Sequence, residues 1–202
     1  MQLVGYMDSP FVRRVAVTAQ CLGLPYEHRE LSIFRDFEEF RAINPLVKVP
    51  TLICDDGQTL VDSTLIIDYL ESIAGRTLMP DSESGHILAL NIIGTSMVAM
   101  EKVAQLIYET TQRPEELQHQ PWIDRLSTQL SGALELLEAG VGDGSSWLFG
   151  DDVSQADITA AIGWRFVQHV VPERAPADRC PGQVAFSARA EELPEFLACP
   201  LS

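Results

Sequence analysis

Residues 44–63 read Asn-Pro-Leu-Val-Lys-Val-Pro-Thr-Leu-Ile-Cys-Asp-Asp-Gly-Gln-Thr-Leu-Val-Asp-Ser, and their reading decides the architecture. Val49 to Cys54 and Gln58 to Val61 are short runs of strand formers on either side of Asp55-Asp56-Gly57, a turn signature, so 49–61 predicts a hairpin. Asp62-Ser63 then opens a helix. Ile66, Ile67, Tyr69, Leu70 and Ile73 supply its apolar face, and Gly75 ends it.

The chain before the hairpin reads as alternating strands and helices. Asp36 to Ile43 is a short amphipathic helix closed by Asn44-Pro45, and Glu27 to Leu31 is a strand. Ser9-Pro10 starts a longer helix. Ser is a preferred N-cap, and Pro suits the first helical position because its missing N–H would be unpaired there anyway. Val12, Val15, Ala16, Ala19 and Leu22 recur at helical spacing, Gly23 stops the helix and Pro25 prevents a restart. Gln2 to Tyr6 is the first strand. The order β-α-β-α-β-β-α predicts an α/β layered domain over residues 1–76.

Residues 77–85 are linker-like, and beyond them the strand signals vanish. Helices are expected over 86–108, 122–139, 158–171 and 184–193, so residues 86–202 predict an all-helical domain. Ser154-Gln155-Ala156-Asp157 resembles a capping box with Asp in the usual Glu position. Ser84 to Met100 is long enough to consider as a membrane span, but Asn91, Gly94, Thr95 and Ser96 interrupt it and Glu101-Lys102 follows; it reads as a buried core helix.

Composition narrows the function. The 202 residues are 46% hydrophobic and 21% charged, a globular balance. The net charge of −15 makes nucleic acid and an anionic membrane surface poor partners, since both need clustered Lys and Arg. The charge is uneven: residues 1–80 carry 7 basic and 11 acidic groups, residues 81–202 carry 7 and 18. The front is therefore the better host for an anionic ligand. Cys21, Cys54, Cys180 and Cys199 form neither C-x-x-C nor zinc spacing, and the four histidines are scattered, so no metal site is expected. Without a secretion signal, a cytoplasmic location and reduced thiols are expected.

Three stretches can carry chemistry. Ser9 places a hydroxyl at a helix N-terminus, among free N–H donors and the positive dipole end, where a thiolate is stabilised. Its alternative role is simply to cap the helix. Val49-Pro50 opens a strand; a cis bond there turns the Val49 backbone to an open edge that can pair with an extended peptide. Asp62 can accept an ammonium group, and Ser63 with the helix N–H groups can hold a carboxylate, although either residue can also be an ordinary cap.

In combination these stretches resemble the cytosolic glutathione transferase family. Ser-Pro-Phe-Val-Arg-Arg-Val after the first strand looks like its catalytic loop, Asn-Pro-x-x-Lys-Val-Pro-x-Leu like its cis-proline loop, and Asp-Ser-x-x-Ile-x-x-Tyr-Leu like its γ-glutamyl-binding helix start. Gly150 with Ser154 to Ile158 is similar to its helical-domain capping motif. The resemblance implies a thioredoxin-like N-terminal domain, an all-helical C-terminal domain, a homodimer, and glutathione as co-substrate with no metal. It implies that Ser9 activates the glutathione sulfur, with Tyr6 as its rival. Val49 is implied to pair with the cysteinyl unit, Asp62 and Ser63 to hold the γ-glutamyl group, and Lys48 to reach the glycine carboxylate. Val47 stands where many members have Gly. The implied function is a serine-type transferase acting on an electrophilic apolar small molecule. The same site also suits peroxide reduction or isomerisation, and a non-catalytic binding member would keep the same fold.

Overall fold

The computed structural model describes residues 1–201. By contacts the chain forms two compact units, one from Met1–Leu78 together with the residues from Glu192 onward, the other Met79–Glu191.

In the first unit, β1 (Gln2–Val4), β2 (Glu27–Arg29), β3 (Thr51–Ile53) and β4 (Thr59–Leu60) form one sheet in the order β2-β1-β3-β4. β1 runs parallel to β2 and antiparallel to β3, and β3 and β4 form the expected hairpin. Adjacent strand residues point to opposite faces. Leu3 and Val4 are both buried, so both faces of the sheet are covered. Val4 clusters with Leu31 and with Phe40 of α2 (Phe37–Ile43). α1 (Pro10–Leu22) and α3 (Ser63–Ala74) pack on each other. Gly23 and Gly75 close these two helices in the left-handed conformation. Every strand is shorter at its ends than residue preference predicts, because pairing with a neighbour sets where a strand stops.

The second unit is wholly helical. α4 (Glu83–Ile107) begins inside the expected linker, capped by Ser82, whose hydroxyl accepts the Gly85 N–H at 3.1 Å. A π-helical turn, Tyr108–Gln112, continues it. Glu83–Gln112 is long and apolar enough to cross a membrane by length and composition, yet α4 buries Ile92, Ile93, Met100, Val103 and Leu106 and packs against α5 (Gln120–Val141) and α6 (Gln155–Val170). α6 is buried along most of its length and also packs on α7 (Pro181–Glu191). The capping box at its start is formed: the Ser154 hydroxyl accepts the Asp157 N–H while the Asp157 carboxylate accepts the Ser154 N–H at 2.8 Å.

The helical domain expected to run to residue 202 ends, by contacts, at Glu191. The helix expected over 184–193 is α7, and a further helix, α8 (Pro194–Leu197), joins the first unit. The reason is local. Arg13 of α1, itself buried, donates from Nε to the Cys199 carbonyl at 2.8 Å and lies over the Phe196 ring at 5.6 Å from its centroid. A buried guanidinium needs such acceptors, and the tail supplies them.

Candidate functional site

The three stretches singled out by sequence all fall at one kind of place, the ends of β1 and β3 and the starts of α1 and α3. Ser9 is the N-cap of α1 with extended backbone, Pro10 follows at the first helical position, and the Ser9 side chain makes no capping hydrogen bond. Its N–H donates to the Tyr6 carbonyl at 3.2 Å and its own carbonyl accepts from Arg13 at 2.9 Å, so the backbone is fixed while the half-buried hydroxyl stays uncommitted. No acidic residue sits in the first turn of α1, although Asp8 directly precedes its N-cap. Tyr6 is half-buried, with the Arg35 guanidinium 5.1 Å from its ring centroid.

The Val49–Pro50 bond is cis. Val49 lies two residues before the ladder of β3, and its N–H and C=O form no hydrogen bond among the described residues. The loop is held from behind by Asn44, which is 3% exposed. Its amide donates to Thr51 Oγ1 at 2.9 Å and its Oδ1 accepts the Leu46 N–H at 3.0 Å. The Thr51 hydroxyl donates to the Lys48 carbonyl at 2.7 Å. Val47 has φ 46, a left-handed conformation that β-branched residues rarely adopt. Its side chain packs against the Val4, Leu31 and Phe40 cluster, which offsets part of that cost. Lys48 is exposed.

At α3, Asp62 is a working N-cap: its Oδ1 accepts the N–H groups of Thr64 and Leu65 at 2.9 and 3.2 Å. The exposed carboxylate keeps its second oxygen outside these bonds. Ser63 is buried, and its hydroxyl accepts from Arg14 Nη1 at 3.1 Å, as does Thr64 Oγ1. Burial pulls the Arg14 guanidinium down to about 10, with nearby Asp62 opposing. Arg14 lies on the same helix that Ser9 caps, so this bond fixes the start of α1 against the start of α3.

Gly5 joins the other two stretches. It exits β1 at φ +133, and a Cβ there would stand 2.7 Å from Val12 Cγ2 of α1 and 2.9 Å from Val49 Cγ1. Sequence reasoning missed Gly5, Arg14 and Asn44. Only Gly5 carries a visible signal, a glycine ending a strand, which marks a close backbone approach. The cysteines offer no competing nucleophile among the groups whose shifts are resolved: burial pushes the Cys21 thiol up to about 12 and raises those of Cys180 and Cys199. Among the described residues no three His, Cys, Asp or Glu side chains gather as a metal-binding set.

Comparison with known proteins follows the same division of the chain. Residues 3–78 match the model of the glutathione S-transferase N-terminal domain and residues 120–170 that of its C-terminal domain. A maleylacetoacetate isomerase from Pseudomonas aeruginosa is 29% identical over 89% of this chain and 82% of its own. A glutathione S-transferase from Methylobacterium radiotolerans, solved in complex with glutathione sulfonate, superposes with a TM-score of 0.90 at 26% identity, covering 98% of this chain and 93% of that one. A glutathione transferase family member from Pseudomonas fluorescens, solved with bound glutathione, gives a TM-score of 0.84 at 25% identity over 100% of this chain and 98% of that one.

Proposed function

Because the chain belongs to the glutathione S-transferase family, we propose that it is a glutathione-dependent enzyme of the serine type, in which Ser9 donates a hydrogen bond to the glutathione sulfur. The observation that carries this reading is the Ser9 hydroxyl, which sits at a helix N-cap and caps nothing. A hydroxyl and an open helix end together lower the thiol pKa, and the thiolate is the nucleophile. The thiol proton leaves to solvent, and the thiolate forms a carbon–sulfur bond with a small electrophile, either by substitution, which expels a leaving-group anion to solvent, or by conjugate addition, in which the C=C π bond breaks and the resulting carbanion takes a proton from solvent.

The same reading assigns roles to the residues at the starts of β3 and α3. The free N–H and C=O of Val49 pair with the cysteinyl unit as an added strand residue. The open oxygen of Asp62 accepts the γ-glutamyl ammonium. The Ser63 N–H and hydroxyl proton donate to the adjacent carboxylate, at the positive end of α3. Lys48 reaches the glycine carboxylate. Tyr6 is the weaker candidate for the activating hydroxyl, since its ring is held under Arg35. Replacing Ser9 by Ala should lower kcat/KM about 100-fold with little change in glutathione KM, because the lost bond acts on the sulfur rather than on binding. A variant that turns over like wild type would return Ser9 to a structural role.

A second reaction on the same site, cis–trans isomerisation assisted by the bound thiolate, is favoured by the likeness to a maleylacetoacetate isomerase. Turnover with a panel of aryl halides, hydroperoxides and maleyl compounds separates the two, and separates both from peroxide reduction.

The protein is further proposed to be a soluble cytoplasmic homodimer. The dimer is supported by a groove of about 570 Å³ between α4 and α5, lined by Leu90, Val98 and Leu136 together with the polar Asn91, Thr95 and Gln129. Leu90 is 53% and Leu136 66% exposed on this groove, an apolar surface that a second copy of the chain would cover. Light scattering after gel filtration should give twice the 22.3 kDa chain mass, and Leu136→Glu should halve it. A wild-type mass of one chain at micromolar concentration would refute the dimer.

A further inference from the structure

The parallel pairing of β1 with β2 stops just short of the candidate site. Leu3 and Val4 lie opposite His28 and Arg29, and the Gly5 N–H donates to the Arg29 carbonyl at 3.0 Å. The next rung of such a ladder would bring the Leu31 N–H to the Gly5 carbonyl. Among the described residues no backbone N–H takes that place. Gly5 is buried, so its carbonyl has little access to water and is costly to leave without a donor. The half-buried His28 side chain supplies one: its Nε2 stands 2.7 Å from the Gly5 oxygen. A carbonyl oxygen only accepts, so Nε2 carries the proton in this bond.

The chain beyond Gly5 gives this bond its consequence. The Tyr6 carbonyl accepts the Ser9 N–H at 3.2 Å, closing a turn whose Met7 is buried. The peptide groups of Gly5 and Tyr6 therefore set where Ser9 stands relative to the sheet. Gly5, at φ +133, has no Cβ to restrict it. Val12 and Val49 crowd it closely enough to exclude a Cβ. Such contacts limit how near the backbone comes, but they do not fix the tilt of its peptide plane. A directional hydrogen bond does. The sequence shows none of this, because His28 lies in a strand and its acceptor is 23 residues earlier.

We propose that His28 is a positioning residue: by holding the Gly5 carbonyl it fixes the Gly5–Tyr6 peptide and, through the turn at Tyr6, the approach of the Ser9 hydroxyl to the glutathione sulfur. This rests on the glutathione reading above. His28 itself neither binds glutathione nor moves a proton. Its action passes through the backbone, so it needs a donor at this position and not a base.

The test compares wild type, His28→Phe, His28→Gln and Ser9→Ala by the ultraviolet thiolate absorbance of bound glutathione across pH. Glutathione affinity by calorimetry and thermal melting are measured on the same proteins. His28→Phe keeps a flat ring and removes the donor. It should raise the bound-thiol titration by about half a unit, which is about threefold less thiolate below the titration, with affinity within about twofold of wild type. His28→Gln should recover most of that shift, because its amide can donate to the same oxygen. His28→Leu is made alongside, so that a phenylalanine protein that does not fold leaves the comparison in place. A donor-less variant that titrates like wild type overturns the proposal even if it melts lower, since His28 then only stabilises the fold. Equal shifts in His28→Phe and His28→Gln also overturn it, because the ring and not the donor is then what counts. Wild type that binds glutathione without lowering its thiol titration, or Ser9→Ala identical to wild type, removes the underlying reading and this proposal with it. Neither of those results depends on a His28 variant.

Discussion

Replacing Gly5 by alanine is expected to destabilise the first unit by about 3 kcal/mol and to weaken glutathione binding as well. Two independent costs add. The backbone at φ +133 is one that an L side chain rarely adopts, so any Cβ strains the chain. The new methyl would also stand 2.7 Å from Val12 Cγ2 and 2.9 Å from Val49 Cγ1. Val12 is fully buried on α1, with a short, stiff side chain that has nowhere to retreat. The lower chain entropy of alanine when unfolded offsets less than about 1 kcal/mol of this. Relief of the clash can come only by moving α1 or the loop of Val49, and both carry proposed ligand contacts. Chemical denaturation and glutathione titration of the same variant check both parts. A Gly5→Ala protein as stable as wild type would show that β1, α1 and the cis-proline loop do not meet as described.

Asp157→Ala is expected to cost the helical unit about 3 kcal/mol, with Ser154→Ala costing about 1 kcal/mol as an ordinary cap deletion. The Asp157 carboxylate is fully buried and accepts the N–H groups of Leu148 and Ser154, each at 2.8 Å, together with the Ser154 hydroxyl. Truncation strands the buried Ser154 N–H and the half-buried Leu148 N–H, whereas losing the Ser154 hydroxyl strands fewer groups. The pH dependence has a definite sign. Burial raises the Asp157 carboxyl above its ordinary range, against the opposing hydrogen bonds. A raised folded-state pKa means that this group's contribution is complete below the unfolded pKa and declines as pH rises through the folded one. Acid unfolding of this unit should therefore not begin at Asp157. Equal losses from the two variants would contradict the accounting of Asp157 as a joint for the 148 loop as well as a cap.

What was legible in the sequence follows the range of the interactions. The helix starts at Asp62 and Ser154 were readable because capping is local, the cap residue and the N–H groups it serves lying within three positions, and the start at Ser9 because Pro10 suits the first helical position. Turn chemistry made the hairpin around Gly57 readable for the same reason. The strand ends were read too long, since Val49 and Val61 prefer extended backbone but have no partner strand at those positions. Arg14 could not be assigned from sequence, because a basic residue in an amphipathic helix reads as solvated until its acceptors on α3 are known. The same holds for Asn44, which reads as a helix stop and in fact bonds Thr51 seven residues on. The tail from Glu192 onward reads as the continuation of a helical domain, and its allegiance is decided by Arg13, more than 180 residues earlier in the chain.

For the candidate site the division is similar. Ser9, Lys48, Val49, Asp62 and Ser63 were found because each lies in a recognisable short pattern. Whether Ser9 or Asp62 acts as a cap could not be told from those patterns. The structure separates them: Asp62 caps α3 through Oδ1, while Ser9 leaves α1 uncapped by its side chain.

The most direct test of the central claim is the ultraviolet thiolate absorbance of glutathione bound to wild type and to Ser9→Ala, titrated across pH. Wild type should show bound thiolate well below the titration range of free glutathione, and Ser9→Ala should shift that titration upward by at least about one unit, the size of a hydrogen bond to a charged group. Identical titrations in the two proteins would contradict the account, because the Ser9 hydroxyl would then have no part in ionising the sulfur.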